Sequence, residues 1–171
     1  MEERDILFDA LMQKTFGGEL FLWGSMIIYV DTNVYLDFFL GRRDYLRPLD
    51  EFAYQIFRRI EEGEFTLVIS DHLLYELENN LEDKNRITEL LQPLKEKGRI
   101  INITKTREDI LKAKGISQEH WKDALHAILA NKAKAVYLLT RNIPDYSGCE
   151  HLVQIKFPES IWQILTFIIF K

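Results

Sequence analysis

Met26-Ile27-Ile28-Tyr29-Val30-Asp31-Thr32-Asn33 is the stretch on which the fold turns. Its first five residues are apolar or aromatic and read as a buried strand, with an acid standing at the strand exit. From Met26 onward, short apolar runs of this kind alternate with amphipathic helical stretches, the pattern of a parallel sheet covered by helices on both faces. Strands are expected over residues 27–30, 66–69, 99–103 and 136–139, and a fifth over 152–156. A helix is expected to begin near Asn33. Pro48 suits a helical first turn ahead of Phe52, Ile56, Phe57 and Ile60, and Gly63 suits its stop. Ser70 or Asp71 caps a helix to about residue 80, and residues 85–97 read as helical up to Gly98, with Pro93 expected to kink or split them. Thr106 caps a short helix ending near Gly115, Ser117 caps a longer one reaching about Lys134, and residues 158–170 read as a last helix.

Composition narrows the function before any motif does. The 171 residues suit one domain, and 22 Lys and Arg against 27 Asp and Glu leave a net charge of −5. That excludes a polybasic wrapper of nucleic acid but leaves room for an enzyme with a local basic rim and clustered carboxylates. Cys149 is the only cysteine, which rules out an internal disulfide and a Cys-rich zinc site and suits a reducing cytoplasm. The acidic start Met1-Glu2-Glu3-Arg4-Asp5 does not read as a secretory signal. The apolar run 161–170 is about half of the roughly 20 residues a membrane-spanning helix needs. It therefore reads as core or interface, not membrane.

Residues 1–25 form a separate extension ahead of a domain at 26–171, and Met26 is itself a candidate translation start. The extension carries Leu7, Phe8, Leu11 and Met12 at helical spacing, then Gly17-Gly18 and Leu20-Phe21-Leu22-Trp23. It reads either as a short helix with an arm packing on a neighbour or as an upstream segment without a role. Together with Trp162, Phe167 and Phe170 it offers apolar surface for a homodimer.

In an open parallel sheet, ligands bind beyond the carboxyl ends of the strands. Asp31 follows the first expected strand, Glu76 lies on the second turn of the helix after the second, and Asp145 lies in the loop after the fourth. Asp123 sits on a helix beside Ala124, Ala127 and Ala130, a small-residue stripe able to approach the sheet closely. Four carboxylates on one rim repel one another unless protonated or bridged by cations. Mg²⁺ or Mn²⁺, which prefers oxygen ligands and keeps waters able to attack a phosphodiester, resolves that conflict. Thr32, Asn33, Thr140 and Asn142 supply neutral oxygens to orient ligands or waters, and Arg141, Arg42, Arg43 and Arg47 are the candidates for phosphate contacts. His126 reads as a structural histidine, Glu119 as a helix-start charge and Cys149 as a packed small residue.

The order and context of Asp31-Thr32-Asn33, Ser70 through Glu76, Asp123-Ala124-Leu125-His126-Ala127 and Thr140-Arg141-Asn142 through Asp145-Tyr146 resemble the PIN-domain nucleases. The likeness covers roughly residues 26–157. It implies a Rossmann-like three-layer α/β/α fold with a short, mostly parallel sheet of four to five strands. It further implies Mg²⁺- or Mn²⁺-dependent cleavage of RNA, often as the toxin of a toxin-antitoxin pair with a small antitoxin partner. Asp31, Glu76 and Asp123 match the three principal acids of the resemblance, and Asp145 or the Asn142 position matches the fourth. Many members carry Asp where this chain has Asn142.

Two other readings compete. A haloacid-dehalogenase-like phosphatase also places an Asp after its first strand but needs a second acid two positions later, where this chain has Asn33. A non-catalytic protein-binding module of the same fold would use the acids only for a structural ion and residues 161–170 for contact.

Overall fold

In the computed structural model, residues 26–45 and 47–161 are described. The extension 1–25 and all but the first few residues of the expected last helix, with Trp162, Phe167 and Phe170, lie outside them.

Five strands form one sheet: β1 (Met26–Val30), β2 (Phe65–Ser70), β3 (Ile100–Ile103), β4 (Tyr137–Leu139) and β5 (Gln154–Lys156). Their order across the sheet is β3-β2-β1-β4-β5, and all four pairings are parallel. Helices α1 (Thr32–Leu40), α2 (Leu49–Glu62), α3 (Asp71–Asn80), α4 (Asn85–Glu96), α5 (Arg107–Ile116) and α6 (Trp121–Lys132) make the connections. This is the expected α/β fold of Rossmann-like, three-layer type. The core sits on the central strand, where Ile28, Tyr29 and Val30 are fully buried, as befits a strand covered on both faces.

Because β1 is flanked by β2 on one side and β4 on the other, the chain leaves it in opposite directions for the two halves of the sheet. The crevice this opens lies at the carboxyl ends of β1 and β4, the place where such sheets bind ligands. The Asp31 amide donates to the Leu139 carbonyl at 2.9 Å, tying the exit of β1 to the end of β4.

Local signals explain most element ends. Gly63 closes α2 in the left-handed region at φ 95°, where any L side chain is strained and a Cβ would also have to displace the tip of the Arg99 side chain. Ser70 accepts from the Leu73 amide at the start of α3. Thr106 and Asp109 form a reciprocal capping box at the start of α5.

Two expectations are corrected. Pro93 does not split α4, which runs unbroken to Glu96; the proline falls in the last turn, where the Lys97 amide bonds to its carbonyl and only one ladder bond is forfeited. Ser117 does not cap α6. It terminates α5, and its hydroxyl accepts from the His120 amide at 2.9 Å across a short non-helical turn, so α6 begins only at Trp121. No helix among the described residues is long and apolar enough to cross a membrane.

Candidate metal centre

Asp31 takes the N-cap position of α1, yet its side chain makes no capping bond. Its Oδ2 instead accepts from Asn33 Nδ2 at 2.6 Å and from Thr140 Oγ1 at 2.7 Å, so the loops after β1 and β4 both hold it. Asn33 Nδ2 also reaches Thr140 Oγ1 at 3.0 Å, and the Arg141 amide donates to Asn33 Oδ1 at 3.1 Å. Asp31 is thereby buried and fixed at the mouth of the crevice.

Glu76 comes from the second turn of α3. Its Oε2 accepts from Thr32 Oγ1 at 2.6 Å and meets His126 Nε2 at 2.9 Å. Because a carboxylate can only accept, His126 Nε2 carries the proton in that bond. The same nitrogen lies 3.9 Å from Asp31 Oδ1, so the imidazole stands between two of the acids. Its other nitrogen, Nδ1, meets the buried Tyr29 hydroxyl at 2.7 Å, and that hydroxyl meets Ser70 Oγ at 2.7 Å. Burial works against a charge on His126, but Glu76, Asp31 and Asp123 outweigh it and hold the imidazole above its ordinary value. Burial would raise Glu76, yet the bonds from His126 and Thr32 pull it down to about 2. His72, one turn before Glu76 on α3, is pushed down to about 4 by burial and by the adjacent His126.

Asp123 projects from the first turn of α6, which lies close to the rest of the fold because Ala124, Ala127 and Ala130 are buried. Its carboxyl is pushed up to about 6 by burial and by the charges of Asp31, Asp145 and Glu76. Asp123 thus feels the other three acids, although the four are scattered from residue 31 to residue 145. His120, the residue before α6, lies 4.0 Å from Asp123 Oδ2 and 3.7 Å from Asp145 Oδ1 through its Nδ1. Asn142 Nδ2 donates to Asp145 Oδ2.

The rim fits a hard divalent cation on two grounds. Its donors are carboxylate oxygens whose mutual repulsion a cation relieves, as the raised Asp123 carboxyl registers. In addition, the Tyr146 hydroxyl is wholly buried against Asp31, and burial together with the charges of Asp31 and Asp123 holds the phenol well above its usual value. Acids crowded on a buried phenol in this way form an anionic pocket that a cation would neutralise.

The arginines divide. Arg141 is mostly buried, with Nε donating to Asp37 Oδ2 at 2.9 Å and Nη1 donating to Glu159, while Nη2 has no partner. Arg43 is three-quarters exposed beside Asp50 at 3.6 Å. With Arg42, Arg47, Asn33 and Asn142, these two line a cavity of about 760 Å³. Asn33 and Asn142 also bond to Asp31 and Asp145, so this basic cavity shares a wall with the acidic rim.

Reading the sequence did not find the parts played by Tyr29, His120 and Tyr146, and gave His126 only a structural role. The signal for Tyr29 was a phenol in a strand buried on both faces, whose hydroxyl needs a partner. His120 and Tyr146 offered no more than their adjacency in sequence to Asp123 and Asp145.

A parallel sheet with a topological switch point at β1 and β4, and acids gathered at its carboxyl edge, defines an α/β protein of the Rossmann-like class. Within that class, the sequence pattern of the PIN domain matches residues 28–144, and the chain belongs to the PIN-domain family. Among solved structures it is similar to the crystal structure of VapBC2 from Rickettsia felis bound to a DNA fragment from their promoter. That similarity has a TM-score of 0.51 and 18% identity over 77% of this chain and 98% of the other. It bears on the fold. No curated protein matches the chain.

Proposed function

We propose that the chain is a Mg²⁺- or Mn²⁺-dependent endoribonuclease, acting as the toxin of a toxin-antitoxin pair or in RNA processing. The observation that carries this reading is the convergence of Asp31, Glu76, Asp123 and Asp145, where burial first and then the charges of the other three acids push the Asp123 carboxyl up to about 6. These four would hold the cation. When bound, the ion lowers the pKa of water and neutralises charge at the scissile phosphate. Asn33 and Thr140 keep Asp31 turned to the rim, Thr32 and His126 do the same for Glu76, and Asn142 does so for Asp145. Arg42 and Arg43 take the RNA backbone in the adjoining cavity, alongside the acids but not among them, while Arg141, whose free Nη2 is itself buried, braces Asp37 and Glu159 behind them.

The same reading takes residues 26–171 as the nuclease domain, cytoplasmic and homodimeric, with residues 1–25 as an extension. A small antitoxin would cover the acidic rim or insert an arginine there. The Rickettsia felis neighbour, solved as VapBC2 on promoter DNA, supports looking for such a partner.

The test is cleavage of labelled single-stranded and structured RNAs by the purified chain. Cleavage should stop in EDTA, return with Mg²⁺ or Mn²⁺, and be lost in Asp31→Asn with the circular dichroism spectrum retained. Cleavage that continues in excess chelator would sink the reading. Growth arrest on expression, relieved by a neighbouring small gene whose product co-purifies, would establish the toxin role.

A further inference from the structure

We propose that His120 is a nitrogen ligand in the cation site, which makes the position between Asp123 and Asp145 one for a first-row transition ion such as Mn²⁺ in preference to Mg²⁺. This rests on the metal-dependent reading of the acidic rim. One nitrogen of His120 and one oxygen each of Asp123 and Asp145 all lie within 4.8 Å of one another. The separations from His120 Nδ1, 3.7 Å to Asp145 and 4.0 Å to Asp123, are too long for hydrogen bonds. They suit a shared ion, since two ligands each about 2.1 Å from one centre stand about 3.0 Å apart at a right angle and about 4.2 Å apart when opposed.

The surroundings aim these groups. The Ser117 hydroxyl accepts the His120 amide at 2.9 Å and fixes the turn that presents the ring. His120 Nε2 lies on the Glu119 side of the ring, 4.0 Å from Oε1, so Nδ1 is the nitrogen that faces the two acids. Asn142 engages Asp145 Oδ2, which leaves Oδ1 facing His120. Independently of these contacts, the Tyr146 hydroxyl, one residue after Asp145 in the chain, is fully buried within reach of Asp31 and Asp123.

An all-oxygen site suits Mg²⁺, whereas an imidazole ligand shifts preference along the transition series. The experiment is Mn²⁺ binding to the full chain, followed by electron paramagnetic resonance with detection of nitrogen coupling, alongside Mg²⁺ binding by calorimetry. Wild type should bind Mn²⁺ with a coupled nitrogen. In His120→Asn, which alters a half-exposed side chain outside the core, that coupling should vanish. Mn²⁺ affinity should fall about tenfold or more while Mg²⁺ affinity changes less than about twofold. Nitrogen coupling that persists in His120→Asn, or equal losses for the two ions, would overturn the proposal and leave the nuclease reading intact. A wild-type chain that binds neither ion would overturn both.

Discussion

His126 Nε2 lies 2.9 Å from Glu76 Oε2, and the same fully buried ring meets the Tyr29 hydroxyl 97 residues earlier in the chain. One side chain therefore ties the central strand to the helix that carries a site acid. His126→Ala leaves a buried phenol and a carboxylate oxygen short of partners and should cost about 2–4 kcal/mol of stability. Tyr29→Phe removes only the hydroxyl and should cost about 1–2 kcal/mol. Urea unfolding of both single variants and the double variant measures their coupling, expected at about 0.5 kcal/mol or more. Strictly additive losses would show that the groups act separately.

Asp123→Asn removes one charge from a rim of like charges while nearly keeping its shape. In chelator the variant should be more stable than wild type by about 1 kcal/mol, because the repulsion from Asp31, Asp145 and Glu76 is relieved. Millimolar Mg²⁺ should raise the melting temperature of wild type and barely move that of the variant. Thermal unfolding with and without the ion reads both effects.

Away from the site, Asp109 caps α5 and accepts from Lys132 Nζ at 2.9 Å. Burial would raise its carboxyl, but Lys132 and the Thr106 amide and hydroxyl outweigh that and leave it below the ordinary value. With its folded pKa below its unfolded one, Asp109 stabilises the fold fully at neutral pH. That stabilisation is lost as the pH falls below about 4 toward the folded value. Asp109→Ala should cost about 1–2 kcal/mol at pH 7, and the gap to wild type should narrow in acid. Denaturant midpoints over that range decide it.

The strands and their exits were legible in the sequence because buried parallel strands are continuous apolar runs, and Ser70, Thr106 and Gly63 announce helix ends through local backbone chemistry. Asp31, Glu76 and Asp123 were visible because each stands in a recognisable local setting. The roles of His126 and Arg141 were not, since their partners Tyr29 and Asp37 are 97 and 104 residues away and only the tertiary fold joins them. Ser117 misled for the opposite reason: a serine followed by Gln118 and Glu119 looks like a helix start, and whether the next residues turn or coil is settled by packing.

Arg141 holds Asp37, whose carboxylate is almost wholly buried and is raised above its usual value because burial outweighs the arginine. Arg141→Ala should therefore destabilise by about 3–5 kcal/mol, the cost of stranding a buried charge. Arg141→Lys should recover little of it, since an ammonium cannot span Asp37 and Glu159 together. Adding Asp37→Asn to Arg141→Ala should restore part of the loss; no recovery in urea unfolding would show that Asp37 is not the stranded charge.

Arg42 and Arg43 are exposed on the cavity beside the rim, and their proposed task is to hold phosphates. On an Asp31→Asn background, which leaves RNA uncleaved, each change to Ala should weaken single-stranded RNA binding whatever the sequence. For every phosphate no longer neutralised, the slope of log affinity against log salt should become shallower by about 0.7. Arg43 is partly neutralised by Asp50 at 3.6 Å, whereas no carboxylate among the described residues is within ion-pair distance of Arg42, so Arg42→Ala should have the larger effect. Fluorescence anisotropy titrations at several salt concentrations measure both slopes. An unchanged slope in both variants would remove this face from the path of the RNA.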